Sequence, residues 1–213
     1  MAQPVTEADV REGYDGLAQV YFDFVGSEMQ HVSVVRAGLR FFAELVKPGA
    51  TTLDAGCGPG HISAFLASEG LDVSGIDISP TTIALAAATF PDINFAVGSL
   101  ADLPQADSSL DAVVARHSII HTHPDQIGDV VAEFARVLVP KGRLFVSFFA
   151  TTTPDEHGRP FDHQVCTAYQ LDASNIADVL TSHGLHEEFR IVRQPRENER
   201  QMPHAMSYAR LTS

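Results

Sequence analysis

Long apolar runs and clusters of basic side chains are both missing from this sequence of 213 residues. Every apolar stretch is broken by a charge or a proline before it reaches the roughly 18 residues of a membrane-spanning helix. Only 14 lysines and arginines stand against 27 aspartates and glutamates, so the formal net charge is −13. Because nucleic-acid binding needs a basic face to neutralise phosphates, we expect neither a nucleic acid nor a membrane as partner.

Cysteine is also scarce. The two cysteines, Cys57 and Cys166, lie far apart in the sequence, so a disulfide framework is not expected. Residues 1–7 have neither the basic region nor the apolar region of a signal peptide. These features predict a cytoplasmic protein. Its length is sufficient for one sizeable core, and we predict a single domain over 1–213.

The most informative pattern is a glycine-rich run between a predicted strand at 51–53 and a predicted helix at 61–68. Gly56, Gly58 and Gly60 alternate with other residues there. Glycine is needed where a Cβ would strike a ligand or where φ must be positive. The helix that follows offers free N–H groups and a positive dipole end. The run therefore predicts a nucleotide-cofactor site.

Asp77 lies near the end of the next predicted strand, 73–78, about one βα unit further on. A carboxylate at that position can accept both hydroxyls of a ribose. Dinucleotide-binding proteins usually show Gly-x-Gly-x-x-Gly, whereas here the spacing is Gly-x-Gly-x-Gly. A nicotinamide-dependent reductase is therefore an alternative that the glycine spacing disfavours.

This glycine spacing, with Asp54 ahead of it, resembles motif I of the class I S-adenosylmethionine-dependent methyltransferases, and Asp77 resembles the acid of their second motif. Later segments resemble the third strand with its adenine-binding loop, the fourth strand, and the helix, turn and fifth strand that follow; they are residues 94–104, 109–115 and 134–144. The matches are collinear over roughly 51–149. The resemblance implies methyl transfer from S-adenosylmethionine to a small-molecule acceptor, O- or N-methylation being expected. A cofactor-binding protein without catalysis is a further alternative.

The resemblance also implies roles for individual residues. The cofactor-binding residues implied in the core are Asp54, Gly56, Cys57, Gly58, Gly60, Asp77, Ile78, Ser99, Leu100 and Arg116. Asp54 is expected to orient the glycine loop and Arg116 to border the methionine end through its backbone. Where the family most often has an acid, this chain has Ser99, and Asp102 is an alternative acceptor for the adenine amino group.

Helix and strand patterns alternate along the chain as an α/β fold requires. We predict a Rossmann-like, doubly wound sheet of seven mostly parallel strands, with an antiparallel last strand and helices on both faces. Within it we expect a helical lid (1–47), a cofactor-binding core (48–150) and an acceptor-side part (151–213). Further predicted elements are helices at 10–25, 32–46, 80–89, 125–138 and 171–183, with a break near Gly26 and Ser27, and strands at 144–149, 185–192 and 204–211.

Residues 151–167 are polar and contain proline and glycine, which predicts a long loop after the fifth strand. Ligands of open α/β sheets bind outside the carboxyl ends of the strands, so we assign this loop to the acceptor pocket. A solvated connection without substrate contact is the alternative.

Tyr14 and Tyr21 lie on the first predicted helix, beside Asp15. In the family, an N-terminal helix with a Tyr-Asp pair often covers the cofactor, which implies that both hydroxyls bind its methionine carboxylate. Packing of the two rings against the sheet is the alternative. Arg36, on the second helix, has no spacing that distinguishes it from a surface charge.

His117 and His121 come directly after the fourth predicted strand, whose end faces the transferred methyl in the family. They are four positions apart and are expected to share a face if this segment turns helically. A methyl on a sulfonium is already electrophilic, so the enzyme mainly positions the acceptor. A base helps when the acceptor is a hydroxyl or a protonated amine, and histidine titrates near neutrality. We predict His121, or else His117, as that base; capping or a structural imidazole is the alternative.

A metal site is the competing use of these imidazoles. His121 and His123 with His157 or His163 offer nitrogen ligands for zinc, but no cysteine or carboxylate stands at a fixed ligand spacing. We therefore predict no metal. No motif identifies the acceptor or the oligomeric state.

Overall fold

The computed structural model of the protein describes residues 5–151, 153–197 and 199–212. Positions 1–4, 152, 198 and 213 lie outside the described residues, and they include parts of the predicted lid and of the predicted loop at 151–167. The helices are α1 (Glu7–His31), α2 (Ser33–Leu45), α3 (His61–Ser68), α4 (Pro80–Thr89), α5 (Ile127–Val137) and α6 (Ala173–Ser182). The strands are β1 (Thr51–Ala55), β2 (Asp72–Asp77), β3 (Asn94–Val97), β4 (Leu110–Arg116), β5 (Leu138–Phe149), β6 (Arg159–Asp162), β7 (Thr167–Gln170), β8 (Leu185–Arg193) and β9 (His204–Leu211).

Seven of these strands form one sheet in the order β3-β2-β1-β4-β5-β9-β8. The first five of that order pair in parallel, and β9 lies antiparallel between β5 and β8. The order reverses direction between β1 and β4, which is the point where open α/β sheets bind ligands. The predicted fold class is confirmed.

The sheet separates two apolar clusters, as expected for a sheet covered on both faces. One cluster includes the predicted apolar stripe of α5, with Phe134 fully buried, together with Leu180 of α6. The other packs α2 and α3 against the opposite face through Phe42 and Leu66. In the described part of the chain, no helix is long and apolar enough to cross a membrane.

The predicted break near Gly26 and Ser27 is wrong, because α1 continues to His31 and the chain turns at Val32. A Cβ on Gly26 would lie 2.9 Å from His61 Nε2 of α3. Glycine therefore serves close helix packing at this position and does not end the helix. Tertiary packing overrides the low helix propensity of glycine here.

Two further predictions need correction after the fourth strand. β5 begins at Leu138, six positions before the predicted start, with Lys141 at a φ of 68° inside it. The predicted loop at 151–167 contains β6, which pairs antiparallel with β7 as a separate two-stranded sheet. The strand signal at β6 is weak because Pro160 lies within it, and proline is tolerated only on edge strands.

Candidate functional site

A cavity of about 700 Å³ opens at the carboxyl ends of β1, β2 and β4. Pockets that enclose small-molecule ligands typically measure about 300–1,000 Å³. The start of the described chain, with the first part of α1, meets the loops that follow β1, β2, β3 and β4 here. Its lining residues are Val5, Thr6, Glu7, Val10, Tyr14, Tyr21, Gly56, Gly58, Asp77, Ile78, Gly98, Leu100, Ala101, Arg116, His117, Ser118, His121, Thr122, Gln126, Asp129 and Val130.

The glycine loop and Asp77 form one hydrogen-bonded unit on the cavity wall. The Gly58 N–H donates to Asp77 Oδ2 at 2.9 Å, and the Ser79 N–H donates to Oδ1 at 2.9 Å. Burial raises the pKa of the Asp77 carboxyl, while these two backbone bonds lower it. Gly58 has a φ of 50°, and a Cβ there would approach Tyr21 Cε1 to 3.2 Å. The loop thus holds the carboxylate in a fixed orientation beside open space.

Four residues predicted to bind the cofactor do not line the cavity. Asp54 lies beneath the loop and accepts a 2.6 Å hydrogen bond from Ser63 Oγ of α3, and burial raises its pKa to about 7. Cys57 is buried, and burial raises its pKa well above the usual value. Gly60 is the N-cap residue of α3 and has a φ of 83°; a Cβ there would meet Phe95 at 2.8 Å. Their contacts support the loop from behind.

Ser99 is the fourth of these residues. Its hydroxyl donates to the Glu7 carboxylate and accepts from the Ala101 N–H at 3.0 Å. Ile78 and Leu100, predicted to pack on adenine, do line the cavity, and so does Glu7. Asp102, the alternative acceptor predicted from the sequence, is exposed and is not part of the lining.

Tyr14 and Tyr21 of α1 project into the cavity, as the prediction of a covering helix requires. Their rings meet edge to face with centroids 5.0 Å apart. Burial raises the pKa of Tyr14 well above its usual value and that of Tyr21 to about 12. Both phenols are therefore neutral hydrogen-bonding groups at physiological pH.

His121 is buried and is fixed by contacts on both sides of its ring. Its Nδ1 lies 3.0 Å from the Thr167 carbonyl oxygen and 3.2 Å from Cys166 Sγ, and its Nε2 lies 3.1 Å from the Tyr14 hydroxyl. A carbonyl oxygen only accepts, so Nδ1 carries the proton and Nε2 accepts from Tyr14. Burial lowers the pKa of His121. The arrangement leaves a neutral imidazole with its basic nitrogen toward the cavity.

His117 also lines the cavity, but the helical turn expected to bring it onto one face with His121 is absent. Between His117 and His121, only residues 119–121 form a 3-10 turn, and His117 itself has a φ of 51°. Its ring packs on Phe149 at 4.6 Å and on His204 at 5.4 Å between centroids. Burial lowers the pKa of His117 well below its usual value. The His117 side chain is therefore a neutral imidazole packed among aromatic rings at the edge of the cavity.

Phe149 joins His117 and His204 to a third imidazole, that of His163. Burial lowers the pKa of His163 and of His204 to about 4 in each case. Among the described residues, His117 Nδ1, His163 Nδ1 and His204 Nε2 have no hydrogen-bond partner. We call these three histidines and Phe149 the imidazole cluster.

Arg116 lines the cavity, and its side chain forms an ion pair; the contact with the cofactor through its backbone stays a prediction. Arg116 Nη2 pairs with Glu28 Oε2 at 2.6 Å, and their side chains are only 10% and 15% exposed. Arg36 lies elsewhere and donates to the Gln30 carbonyl oxygen at 2.7 Å. A largely buried ion pair therefore joins α1 to the end of β4 beside the cavity.

The other histidines weighed as metal ligands have structural partners. His123 Nδ1 accepts from the Asp125 N–H at 3.3 Å, and His157 Nδ1 accepts from the Asp172 N–H at 2.9 Å. Over the described residues, no group of three or more His, Cys, Asp or Glu side chains is arranged to hold a metal ion. The nearby imidazoles are explained by capping and aromatic packing.

A parallel sheet with this glycine turn, followed by an acid at the end of the second strand, defines a Rossmann-like nucleotide-cofactor domain. The sequence model of the family described as "Methyltransferase domain" matches residues 52–142. Residues 52–142 therefore form a methyltransferase domain, in agreement with the class I S-adenosylmethionine-dependent family predicted from the sequence. The family, the enzyme class and the cofactor of that class predicted from the sequence are confirmed.

The chain is similar to a curated relative in sequence and to two solved structures in fold. The chain is 38% identical over 105 residues to a demethylmenaquinone methyltransferase of Beutenbergia cavernae, which covers 49% of this chain and 43% of the relative. A Burkholderia thailandensis 1,6-didemethyltoxoflavin-N1-methyltransferase, solved with its acceptor and S-adenosylhomocysteine, has a TM-score of 0.71 at 22% identity and covers 100% of this chain and 93% of its own. The [4+2]-cyclase SpnF has a TM-score of 0.81 at 17% identity, with 98% of each chain covered.

The two solved structures show a shared fold, at identities too low to transfer a reaction. The chain spans about half the length of the curated relatives it matches.

Sequence reasoning missed Glu7, Glu28 and the contacts of Cys166 and Thr167 with His121. Each of these depends on contacts between residues far apart in the chain, such as the 107 positions between Tyr14 and His121. Local spacing carries no signal for such pairs. One sequence feature did give a signal: Ser99 stands where the family most often has an acid, which suggests that a carboxylate from elsewhere in the chain takes its place.

Proposed function

We propose that the protein transfers a methyl group from S-adenosylmethionine to an oxygen or nitrogen atom of a small-molecule acceptor. The observation that carries the proposal is that a single cavity joins Asp77 and the glycine loop to the Tyr14–His121 pair. Asp77 would hold the ribose hydroxyls. The ion-paired Arg116 would border the methionine end, with Tyr21 beside it.

Bound S-adenosylmethionine supplies an electrophilic methyl group on a sulfonium. Tyr14 and His121 then handle the proton of the acceptor. In the orientation described above, the Tyr14 hydroxyl donates to His121 Nε2 and can receive the acceptor's proton as it gives up its own. The proton ends on Nε2, and the acceptor atom is left with the electron pair that attacks the methyl. Thr167 holds the ring in the tautomer that makes this transfer possible.

Relatives suggest the kind of acceptor. One is named a demethylmenaquinone methyltransferase and another a ubiquinone biosynthesis O-methyltransferase. In this chain, neutral phenol and imidazole groups surround the acceptor side. They suit an uncharged aromatic acceptor with hydroxyl groups, because buried neutral donors and acceptors match such groups without an unpaired charge.

Two other functions are possible on the same fold. A non-catalytic cofactor-binding protein needs no proton acceptor, and a cyclase such as the one named for SpnF forms its product without methyl transfer. The buried Tyr14–His121 pair beside the cofactor wall favours transfer to a protic acceptor over both.

The test is incubation with S-adenosylmethionine carrying a labelled methyl group and a panel of phenols, hydroquinones, naphthols and small amines. Mass spectrometry should detect a labelled methyl on at least one hydroxyl or amine, together with S-adenosylhomocysteine. The His121→Ala variant, which keeps the glycine loop and Asp77, is the matched control for background methylation. Cofactor binding with no labelled product across the panel would contradict the proposal.

A further inference from the structure

Glu7, at the first position of α1, lies at the end of the cavity bounded by Ile78 and Leu100. Its carboxylate accepts a hydrogen bond from Ser99 Oγ. Ser99 is the position where the family most often has an acid. The structure thus brings a carboxylate from another part of the chain to the position at which the local sequence lacks one.

Contacts on either side of Glu7 fix where this carboxylate lies. Thr6 and Asp9 form a capping box, in which the Thr6 N–H donates to Asp9 Oδ2 at 2.8 Å. Six residues beyond Asp9 on the same helix, Asp15 accepts from Ser79 Oγ at 2.6 Å and from the Thr81 N–H at 3.1 Å. The start of α1 is therefore attached to α4, next to the cavity end that Glu7 lines.

We propose that Glu7 is the acceptor for the exocyclic amino group of the cofactor's adenine. The inference rests on the proposed function, since it requires S-adenosylmethionine in this cavity. Ser99 donates its proton to Glu7 and accepts from the Ala101 N–H, while Asp102 lies outside the cavity lining, to which Glu7 belongs. A carboxylate has about four lone-pair sites, so Glu7 can accept from Ser99 and from the amino group together.

This role makes Glu7 a determinant of base specificity. The amino group of adenine donates to a carboxylate, whereas hypoxanthine presents a carbonyl oxygen at the same place, which the carboxylate repels. Specificity built on such a mismatch is lost when the charged partner is removed. If Glu7 only stabilised the start of α1, its substitution would weaken the binding of the adenine compound and of the hypoxanthine compound equally.

The experiment is calorimetric titration of the whole protein with S-adenosylhomocysteine and with S-inosylhomocysteine. Wild-type protein should prefer the adenine compound. Glu7→Ala should reduce that preference about tenfold, the effect of one partly exposed charge-assisted hydrogen bond. Glu12→Ala, an exposed glutamate on the same helix, is the matched control and should leave the preference unchanged.

A rescue variant separates recognition from helix stability. In Glu7→Ala/Ser99→Asp, the acid stands where the family has it, and the preference for adenine should return, although α1 still lacks its glutamate. An unchanged preference in Glu7→Ala, or a lowered preference that the rescue variant does not restore, would overturn the assignment of Glu7. If wild-type protein bound neither compound, the failure would lie with the proposed function itself.

Discussion

The two sides of the cavity are built in different ways. The cofactor side consists of a glycine loop and Asp77 on neighbouring strands, held together by backbone N–H groups within 19 positions of sequence. The acceptor side consists of groups from α1, the 3-10 turn at 119–121 and the β6–β7 segment, joined across 45 to 107 positions. The cofactor side is therefore specified by local sequence, and the acceptor side by tertiary packing.

The helix α1 contacts both sides. Glu7 meets Ser99 near the adenine end, Tyr14 meets His121 at the acceptor side, and Glu28 pairs with Arg116. Changes on the acceptor side should therefore affect turnover, and changes on the cofactor side should affect binding. The predictions that follow test that division.

The largest expected effect is on turnover. His121→Ala should lower kcat by roughly 10²–10⁴-fold, the usual contribution of a positioned general base, with little change in affinity for S-adenosylhomocysteine. Because burial lowers the pKa of His121, wild-type turnover should fall only as the pH drops below about 6.5, where Nε2 becomes protonated. That acid limb of the pH–rate profile should be lost in the variant.

Steady-state kinetics across this pH range, with the exposed His186→Ala as matched control, measure both effects. Tyr14→Phe keeps the ring and removes the hydroxyl, so it should lower kcat by a smaller factor. Near-normal turnover in both His121→Ala and Tyr14→Phe would show that the acceptor side only positions its substrate.

The second effect is on binding. Asp77→Ala should weaken S-adenosylhomocysteine binding by about 1.5–3 kcal/mol, as expected for hydrogen bonds to a charged group. Asp72→Ala, at the exposed start of the same strand, should not change the affinity. Calorimetry compares the two variants directly. Equal affinities for them would mean that the acid at the end of β2 does not hold the cofactor.

The third effect is on stability and belongs to the imidazole cluster. Burial lowers the pKa of His163 and His204 to about 4, below the unfolded value near 6.5. As the pH falls from about 6.5 toward 4, the unfolded chain binds protons that the folded chain does not. Stability is therefore full above that window and is lost within it, by at most about 1.4 kcal/mol per pH unit for each histidine.

Urea unfolding at pH 7 and at pH 5 measures this loss. His163→Phe and His204→Phe should each reduce the difference between the two pH values, because phenylalanine retains the packing without a titrating nitrogen. His186→Phe, at an exposed position on β8, should leave the difference as it is in wild-type protein. The same loss of stability in all three variants would contradict the proposed cause.

The sequence predicted the sheet, the glycine loop, Asp77 and the helix α4, because these features depend on short-range patterns. It did not predict the β6–β7 pair, since Pro160 weakens the strand pattern and the pairing depends on contacts with β7. It placed Tyr14 and His121 separately at the site. Their contact with each other depends on how α1 packs across the strand ends, which no local spacing encodes.

Tertiary contacts also explain why two residues were predicted with the wrong surroundings. Gly60 follows the glycine pattern, but its lack of a Cβ serves packing against Phe95, away from the cavity. His117 and His121 are four positions apart, yet the left-handed conformation of His117 removes the expected helical face. In both cases the residue type was correct for the region, and the three-dimensional contact determined its place.

The most direct test of the central claim is a calorimetric comparison of S-adenosylhomocysteine with NADP on the wild-type protein. We predict binding of S-adenosylhomocysteine at one site per chain and weak or no binding of NADP, because the glycine spacing and Asp77 suit the former. Tight binding of NADP with no response to S-adenosylhomocysteine would contradict the account.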